Sequence, residues 1–401
     1  MAGGATSRAL VTGAAGGIGR AICRRLAGDG WRVALADIDQ AAVAALAAMP
    51  GPGHVALAAD LTDAQAASAL PARAAKALGG LDAVINNAGI TDSSGRSLTD
   101  LPQDSFDRLV ALNLTAVQRI CAAASPLLPD GGRIVNLASG AAFRPLVLRG
   151  PYSATKAGVV ALTGVLAEQL APHGIAVSAV APGYTLTPLV EELQRQGRID
   201  LEAVARGIPL GRLALPGDIA AAVAFCAGPD GGALNGQTLT VDGGGLAGPL
   251  PKGLAPPSAG QAATGHCVVL GPVGPTAMLP TDAALSAVIA DQYRQAPRSP
   301  AGTLAMARLT AQAIVSHPRR CRDFALLYVA PAGDAVASAA LAMFARTLAL
   351  EWAGAGMRVN TLIAGDTALP RGLCDFLTGP EAGLVTGQTV TVSPSNRGHP
   401  S

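Results

Sequence analysis

The sequence is short of aromatic side chains, of charge and of lysine. Phe, Trp and Tyr together make up 3% of the 401 residues, which disfavours a broad stacking pocket for a polycyclic substrate. Charged residues make up 14%, the formal net charge is +2, and no basic or acidic block appears. Nucleic acid and an anionic membrane are therefore not expected as partners. No stretch reads as apolar over the length of a membrane span. The opening residues, MAGGATSRALVTG, lack the basic region, apolar run and cleavage site of a secretory signal, so a cytoplasmic protein is expected. Cys23, Cys121, Cys226, Cys267, Cys321 and Cys374 fall without C-x-x-C or Cys/His spacing, which supports neither a disulfide framework nor a metal site. Of 29 basic residues only Lys76, Lys156 and Lys252 are lysine, so a lysine here is not the default cation.

Half of the residues are apolar, enough for a large core and more than one domain. Between residue 8 and about 243, seven short apolar runs (ALVTG, RVALAD, HVALAAD, DAVINNAG, RIVNLAS, IAVSAVAPG and QTLTVDGG) alternate with apolar-periodic stretches. That alternation predicts an α/β fold of Rossmann type, a doubly wound parallel sheet with helices on both faces and the ligand at the carboxyl ends of the strands. Residues 247–264, rich in Pro, Gly and Ala, read as a linker between a first domain, 1–246, and a second, 265–401. In the second, strands are predicted at HCVVLG, FALLYVA, MRVNTLIAG and GQTVTV, and helices at 301–316 and 336–352.

LVTGAAGGIGRAI places Thr12, Gly13, Gly17, Ile18 and Gly19 between a strand and a helix. Glycines let the backbone approach a pyrophosphate, and the helix amino terminus offers free N–H groups and a favourable dipole. Asp37 ends the second strand, where a carboxylate accepts from ribose hydroxyls and repels a 2′-phosphate, favouring NAD over NADP. Tyr152 and Lys156 in GPYSATKAG stand four apart, on one face of a helix. An adjacent ammonium and an oxidised nicotinamide both favour a phenolate, which exchanges a proton with an alcohol or ketone oxygen. Ser139 is placed to donate to that oxygen, and Asn113 to hold a water between lysine and solvent.

Thr12-Gly13-x-x-x-Gly17-x-Gly19, Asn86-Asn87-Ala88-Gly89, Asn113, Ser139, Tyr152-x-x-x-Lys156 and Pro182-Gly183 together resemble the short-chain dehydrogenase/reductase family over residues 8–244. The resemblance implies Tyr152 as general acid/base, Lys156 on the nicotinamide ribose, Ser139 orienting substrate and Asn113 in a proton relay. It also implies Asp60 and Leu61 beside adenine, Asn87, Ala88 and Gly89 lining the cofactor, and Pro182, Gly183 and Thr187 near the nicotinamide end, Thr187 at the carboxamide. Candidate substrate residues are Arg144 and Arg149, between Ser139 and Tyr152, and Tyr184. The two arginines read either as solvated surface cations or as a fork for a carboxylate, sulfonate or phosphate. Residues 189–206, with Arg195 and Arg198, are expected to form a lid.

LALEWAGAGMRVNTLIAGD (348–366) repeats LAEQLAPHGIAVSAVAPGY (166–184), and LTGPEAGLVTGQTVTVSPS (377–395) repeats CAGPDGGALNGQTLTVDGG (226–244). The second domain thus reads as a shortened copy of the first. In this register Ser139 falls near Ala330, Tyr152 opposite Asp334 and Lys156 opposite Ser338, and the glycine loop becomes VVLGPVGP. The copy is expected to be non-catalytic and to serve as a built-in partner covering an apolar helix face, the chain assembling as a dimer of such pseudo-dimers. The leading reading is an NAD-dependent oxidoreductase of a small secondary alcohol or ketone, possibly anionic. The alternatives are an NADPH-dependent 3-oxoacyl thioester reductase and a non-catalytic NAD-binding sensor or assembly protein.

Overall fold

The structure, a computed structural model, describes residues 6–51, 53–92, 94–248, 256–258, 264–270, 279–280, 282–291, 299–365 and 368–392. Most of the expected linker, residues 271–275 of VVLGPVGP and residues 393–395 of VSPS lie outside the described residues.

The seven expected runs form seven strands: β1 (Arg8–Thr12), β2 (Arg32–Asp37), β3 (Val55–Ala58), β4 (Ala83–Asn86), β5 (Arg133–Leu137), β6 (Ala176–Pro182) and β7 (Thr238–Val241). The apolar runs of the central strands are continuous because helices cover both faces of a parallel sheet, while edge strand β3 stays partly exposed. The order is β3-β2-β1-β4-β5-β6-β7, so the chain reverses direction between β1 and β4 and opens a crevice at their carboxyl ends. Around this sheet run α1 (Gly17–Gly28), α2 (Gln40–Ala47), α3 (Ala64–Leu78), α4 (Gln103–Val110), α5 (Ala116–Ala124), α6 (Gly150–Leu170), α7 (Pro188–Arg195), α8 (Leu201–Arg206) and α9 (Pro216–Ala227). Leu10, Leu70, Val84, Ile120, Ile134 and Val177 form the centre of one core. The expected lid, 189–206, folds as most of α7 and all of α8, with Arg195 ion-paired to Glu192.

A second parallel sheet holds β8 (His266–Leu270), β9 (Leu285–Ala290), β10 (Arg320–Pro331), β11 (Arg358–Ala364) and β12 (Thr389–Thr391), in the order β12-β11-β10-β9-β8. Its helices are α10 (Pro300–Val315), α11 (Ala335–Trp352) and α12 (Arg371–Thr378). Strand β9 was not anticipated, although Ala287-Val288-Ile289 repeats Ala83-Val84-Ile85 of β4. The strand order matches β1-β4-β5-β6-β7, and no strand among the described residues corresponds to β2 or β3. Local bonds repeat as well. Gly236 N–H donates to Val177 O and Gly387 N–H to Val359 O, both at 2.8 Å. Val177 N–H donates to Asn235 Oδ1 at 2.8 Å and Val359 N–H to Thr386 Oγ1 at 3.0 Å. The five-stranded sheet thus fits a truncated second domain of Rossmann type.

The chain separates into two compact units, one holding residues 1–195 and 215–238, the other 196–214 and 239–395. This differs from a single cut at residue 246: α8 and the end of β7 group with the second unit. Against the expectation that no stretch has span length, Ala335–Ala355 is long and apolar enough, with a mean hydropathy of 1.2. In the fold this stretch is a core helix, its Leu341, Leu348 and Trp352 packed with Phe324 and Tyr328.

Arg358 begins β11 where the first unit has Ala176. Its buried guanidinium donates to the carbonyls of Leu377 (3.1 Å), Thr378 (3.3 Å), Gly379 (2.9 Å) and Ala382 (3.1 Å), capping the carboxyl end of α12. Burial pulls its pKa down to about 10. Removing one partner from such an array leaves the others orphaned, so Arg358→Met is expected to destabilise the second unit by about 2–4 kcal/mol. Urea unfolding followed by Trp352 fluorescence in a Trp31→Phe background checks this, and an unchanged midpoint would contradict it.

Candidate active site

The cofactor side of the crevice is built on β1. Thr12 Oγ1 accepts from the amides of Asn87 (3.0 Å) and Ala88 (3.1 Å), and the Asn87 side-chain amide donates to Thr12 O and Gly13 O, both at 3.0 Å. These bonds lock the turn after β4 onto the turn after β1. Gly13 takes φ +64°, and a Cβ on Gly19 would lie 2.0 Å from Gly13 O, so neither position admits a side chain without rearrangement. Helix α1 begins at Gly17 with no side-chain cap and no acidic residue in its first turn. The amides of Gly17, Ile18 and Gly19 are thus left for a ligand, and an anionic pyrophosphate suits them. Asp37 Oδ2 accepts from the Ala15 amide at 3.0 Å, placing its carboxylate beside the glycine loop. A Cβ on Gly17 would sit 3.1 Å from Thr187 Cβ, so Thr187 lies against the loop. Asp60 is exposed beside buried Leu61; its carboxylate accepts from the Thr62 hydroxyl (2.7 Å) and amide (2.9 Å), which lower its pKa.

The reactive side is built on β5 and α6. Ser139 follows β5 in extended conformation, its hydroxyl accepting from the Ala141 amide at 3.2 Å and standing close enough to the Tyr152 phenol to exert a lowering pull on its pKa. Lys156 is buried one turn further along α6, its Nζ donating to Leu137 O at 2.7 Å and lying 5.8 Å from the Tyr152 ring centroid. Burial pushes the amine down to about 8. Burial raises the Tyr152 phenol above its ordinary value, and Ser139 opposes that rise. The phenol is thus raised, whereas the sequence pattern predicts a lowering by the lysine. Asn113 sits fully buried in a π-helical turn, Ala111–Thr115, between α4 and α5. Its side chain accepts from Ile90 N–H (2.9 Å) and donates to Ile90 O (2.8 Å), so both ends of the amide are held by one backbone residue. A Cβ on Gly89 would lie 3.3 Å from Asn113 Oδ1 and 3.4 Å from Lys156 Nζ, which puts the three in one cluster.

The structure therefore brings together Asn113, Ser139, Tyr152 and Lys156, and next to β1 the loop residues, Asp37 and Asn87 to Gly89. Pro182 ends β6, followed by Gly183 and an exposed Tyr184. Arg144 is exposed and Arg149 partly buried at the start of α6, so the two candidate arginines differ. The holder of Lys156, the Leu137 carbonyl, was missed, since a backbone acceptor has no sequence signature. In the second sheet, strand register sets Leu270 in the place of Thr12 and Pro331 in that of Ser139, one residue past the expected Ala330. Asp334 caps α11, and Ser338 donates to Pro331 O at 2.6 Å.

Residues 13–245 match a family model described as enoyl-(acyl carrier protein) reductase. The chain is 38% identical over 244 residues to an uncharacterised short-chain type dehydrogenase/reductase, y4vI, of Sinorhizobium fredii, covering 61% of this chain but only 44% of that one. Among solved structures, a 3-ketoacyl-(acyl-carrier-protein) reductase from Brucella melitensis complexed with NADH is 33% identical (TM-score 0.55, 60% of this chain and 98% of that one). A short-chain dehydrogenase from Burkholderia cenocepacia in complex with NADP is 38% identical (TM-score 0.54, 60% and 98%).

The folded chain releases the Lys156 proton near pH 8, whereas the ordinary amine holds it to 10.5. Between those values the unfolded state binds more protons, so folding stability rises with pH. Urea midpoints at several pH values are expected to climb across this window in the wild type relative to Lys156→Met; parallel curves would contradict the buried charge.

Proposed function

The chain belongs to the short-chain dehydrogenase/reductase family, and from that premise we propose that it moves a hydride between NAD(H) and a small secondary alcohol or ketone. The observation that carries this is the group of half-buried Ser139 and Tyr152 with buried Lys156, which stands in one unit with the uncapped start of α1 and Asp37.

Gly13 to Gly19 would hold the pyrophosphate, Asp37 the adenosine ribose, Asp60 and Leu61 the adenine edge, and Asn87 to Gly89, Pro182, Gly183 and Thr187 the nicotinamide end. Bound NAD supplies the hydride acceptor and NADH the donor. The chain's own residues handle the proton. In oxidation the Tyr152 phenolate takes the hydroxyl proton as the C–H hydride leaves the same carbon; in reduction the phenol returns it to the carbonyl oxygen. Ser139 donates to the substrate oxygen as charge develops on it. Lys156 keeps a cation beside the phenol and reaches the nicotinamide ribose, and Asn113 fixes the backbone over which its proton is replenished. Asp37 supports NAD: a 2′-phosphate would meet a carboxylate already held by the Ala15 amide.

We read residues 1–246 as the catalytic domain, 247–264 as a linker and 265–401 as a shortened, non-catalytic copy. The protein is taken as cytoplasmic, acting on a small molecule and assembling as a homo-oligomer. A second reading, reduction of a 3-oxoacyl thioester, draws support from the NADH-bound 3-ketoacyl-(acyl-carrier-protein) reductase among its structural neighbours. Turnover of an acetoacetyl thioester well above that of simple ketones would favour it.

Tyr152→Phe is expected to lower turnover by about 10²–10⁴-fold with NADH binding retained. Retained turnover would overturn the proposal. Calorimetry is expected to find one NADH per chain, bound about tenfold or more tighter than NADPH, with the gap narrowing in Asp37→Ser. Two NADH per chain would contradict a non-binding second copy.

A further inference from the structure

Lys156 lies within α6, whereas Arg149 immediately precedes that helix as its N-cap residue. Arg149 has non-helical backbone (φ −131°, ψ 27°) and stands three residues before Tyr152 in the chain, in the segment that joins it to Ser139. Its Nη1 is enclosed and has no hydrogen-bond partner. A buried charged donor without an acceptor is among the more costly arrangements a fold can keep.

The backbone before it is strained too. Leu148 has φ 62°, the only non-glycine residue with positive φ among the described residues. A branched side chain in that region costs about 1–2 kcal/mol and persists where the surroundings impose it. Two adjacent costs thus fall in the short segment that joins Ser139 to Tyr152. Around them the exposed side chains are apolar: Phe143, Val147, Leu148 and Tyr184. Arg144, in the same segment, lies in solvent and shows none of this.

We propose that Arg149 is a specificity-determining residue whose Nη1 donates to a carboxylate on the substrate, so that the preferred substrates are short oxo- and hydroxycarboxylates. The inference rests on the dehydrogenase reading. A single enclosed guanidinium edge matches a planar monoanion, whereas a phosphate dianion calls for more cationic partners than this segment offers. The apolar residues nearby suit the short hydrocarbon part of such a molecule.

The test uses the full chain loaded with NADH. Acetoacetate, 4-oxopentanoate and 2-oxobutanoate, each beside its methyl ester, are titrated by nicotinamide fluorescence, and NADH oxidation is recorded in parallel. At least one acid is expected to bind about tenfold or more tighter than its ester. That ratio should collapse toward one in Arg149→Met and partly return in Arg149→Lys, with NADH binding reporting that each variant is folded. Should Arg149→Met not fold, the reduced ratio in Arg149→Lys carries the test. No acid preference in the wild type, or a preference that survives the substitution, overturns the assignment. Neutral ketones oxidising NADH in a Tyr152-dependent way without acid preference would remove Arg149 and leave the dehydrogenase reading standing. Carboxylate binding through Arg149 without NADH oxidation would do the reverse.

Discussion

The burial of one lysine amine governs the geometry of the first unit. Lys156 Nζ is taken out of water and given the Leu137 carbonyl at 2.7 Å, which fixes α6 against the end of β5. Ser139 leaves the same strand two residues later, and Tyr152 stands one helical turn before the lysine, so the three groups converge because one strand end and one helix start converge. Gly89 and Asn113 close the cluster from the other side, and the π-helical turn supplies the extra residue that turns Asn113 inward. Desolvation then works on both titrating groups: it lowers the amine and raises the phenol. The chain by itself thus favours a neutral phenol, and a phenolate calls for positive charge beyond what the chain supplies. An oxidised nicotinamide, if bound beside the phenol, would bring that charge.

The second unit holds a five-stranded parallel sheet that fits a truncated domain of Rossmann type. Its sheet has the order and local bonding of β1 and β4 to β7, and among the described residues no strand corresponds to β2 or β3, the strands whose ends carry Asp37 and Asp60 in the first unit. Where the first unit has Thr12, Ser139 and Lys156, the second has a leucine, a proline and a serine. Its buried Arg358 donates through Nη1 and Nη2 to carbonyls at the end of α12 and in the turn that follows it, so this guanidinium serves the packing of the unit.

Patterns that repeat with the period of an element were legible in the sequence: seven strands of the first sheet, the glycine turn and the Tyr152/Lys156 pair all stand in the structure as the spacing requires. Features made by a backbone carbonyl or by packing were not. Leu137 O as the holder of Lys156, the π-helical turn around Asn113 and the enclosed Nη1 of Arg149 follow from where chain segments meet. Strand β9 was missed because a short Ala-rich run carries little β signal alone, although its Ala-Val-Ile matches β4. The division of the chain near residues 196–214 and 239 was equally hidden, since grouping depends on contacts between distant segments.

Burial holds the Tyr152 phenol neutral, and positive charge brought with the cofactor is expected to release its proton. The most direct measurement is the phenolate absorbance of wild type minus Tyr152→Phe, titrated with and without NAD⁺. The account predicts ionisation above the ordinary value of 10 for the chain alone and a fall of about 2 pH units when NAD⁺ is bound. A phenol that ionises at the same pH in both titrations would contradict it.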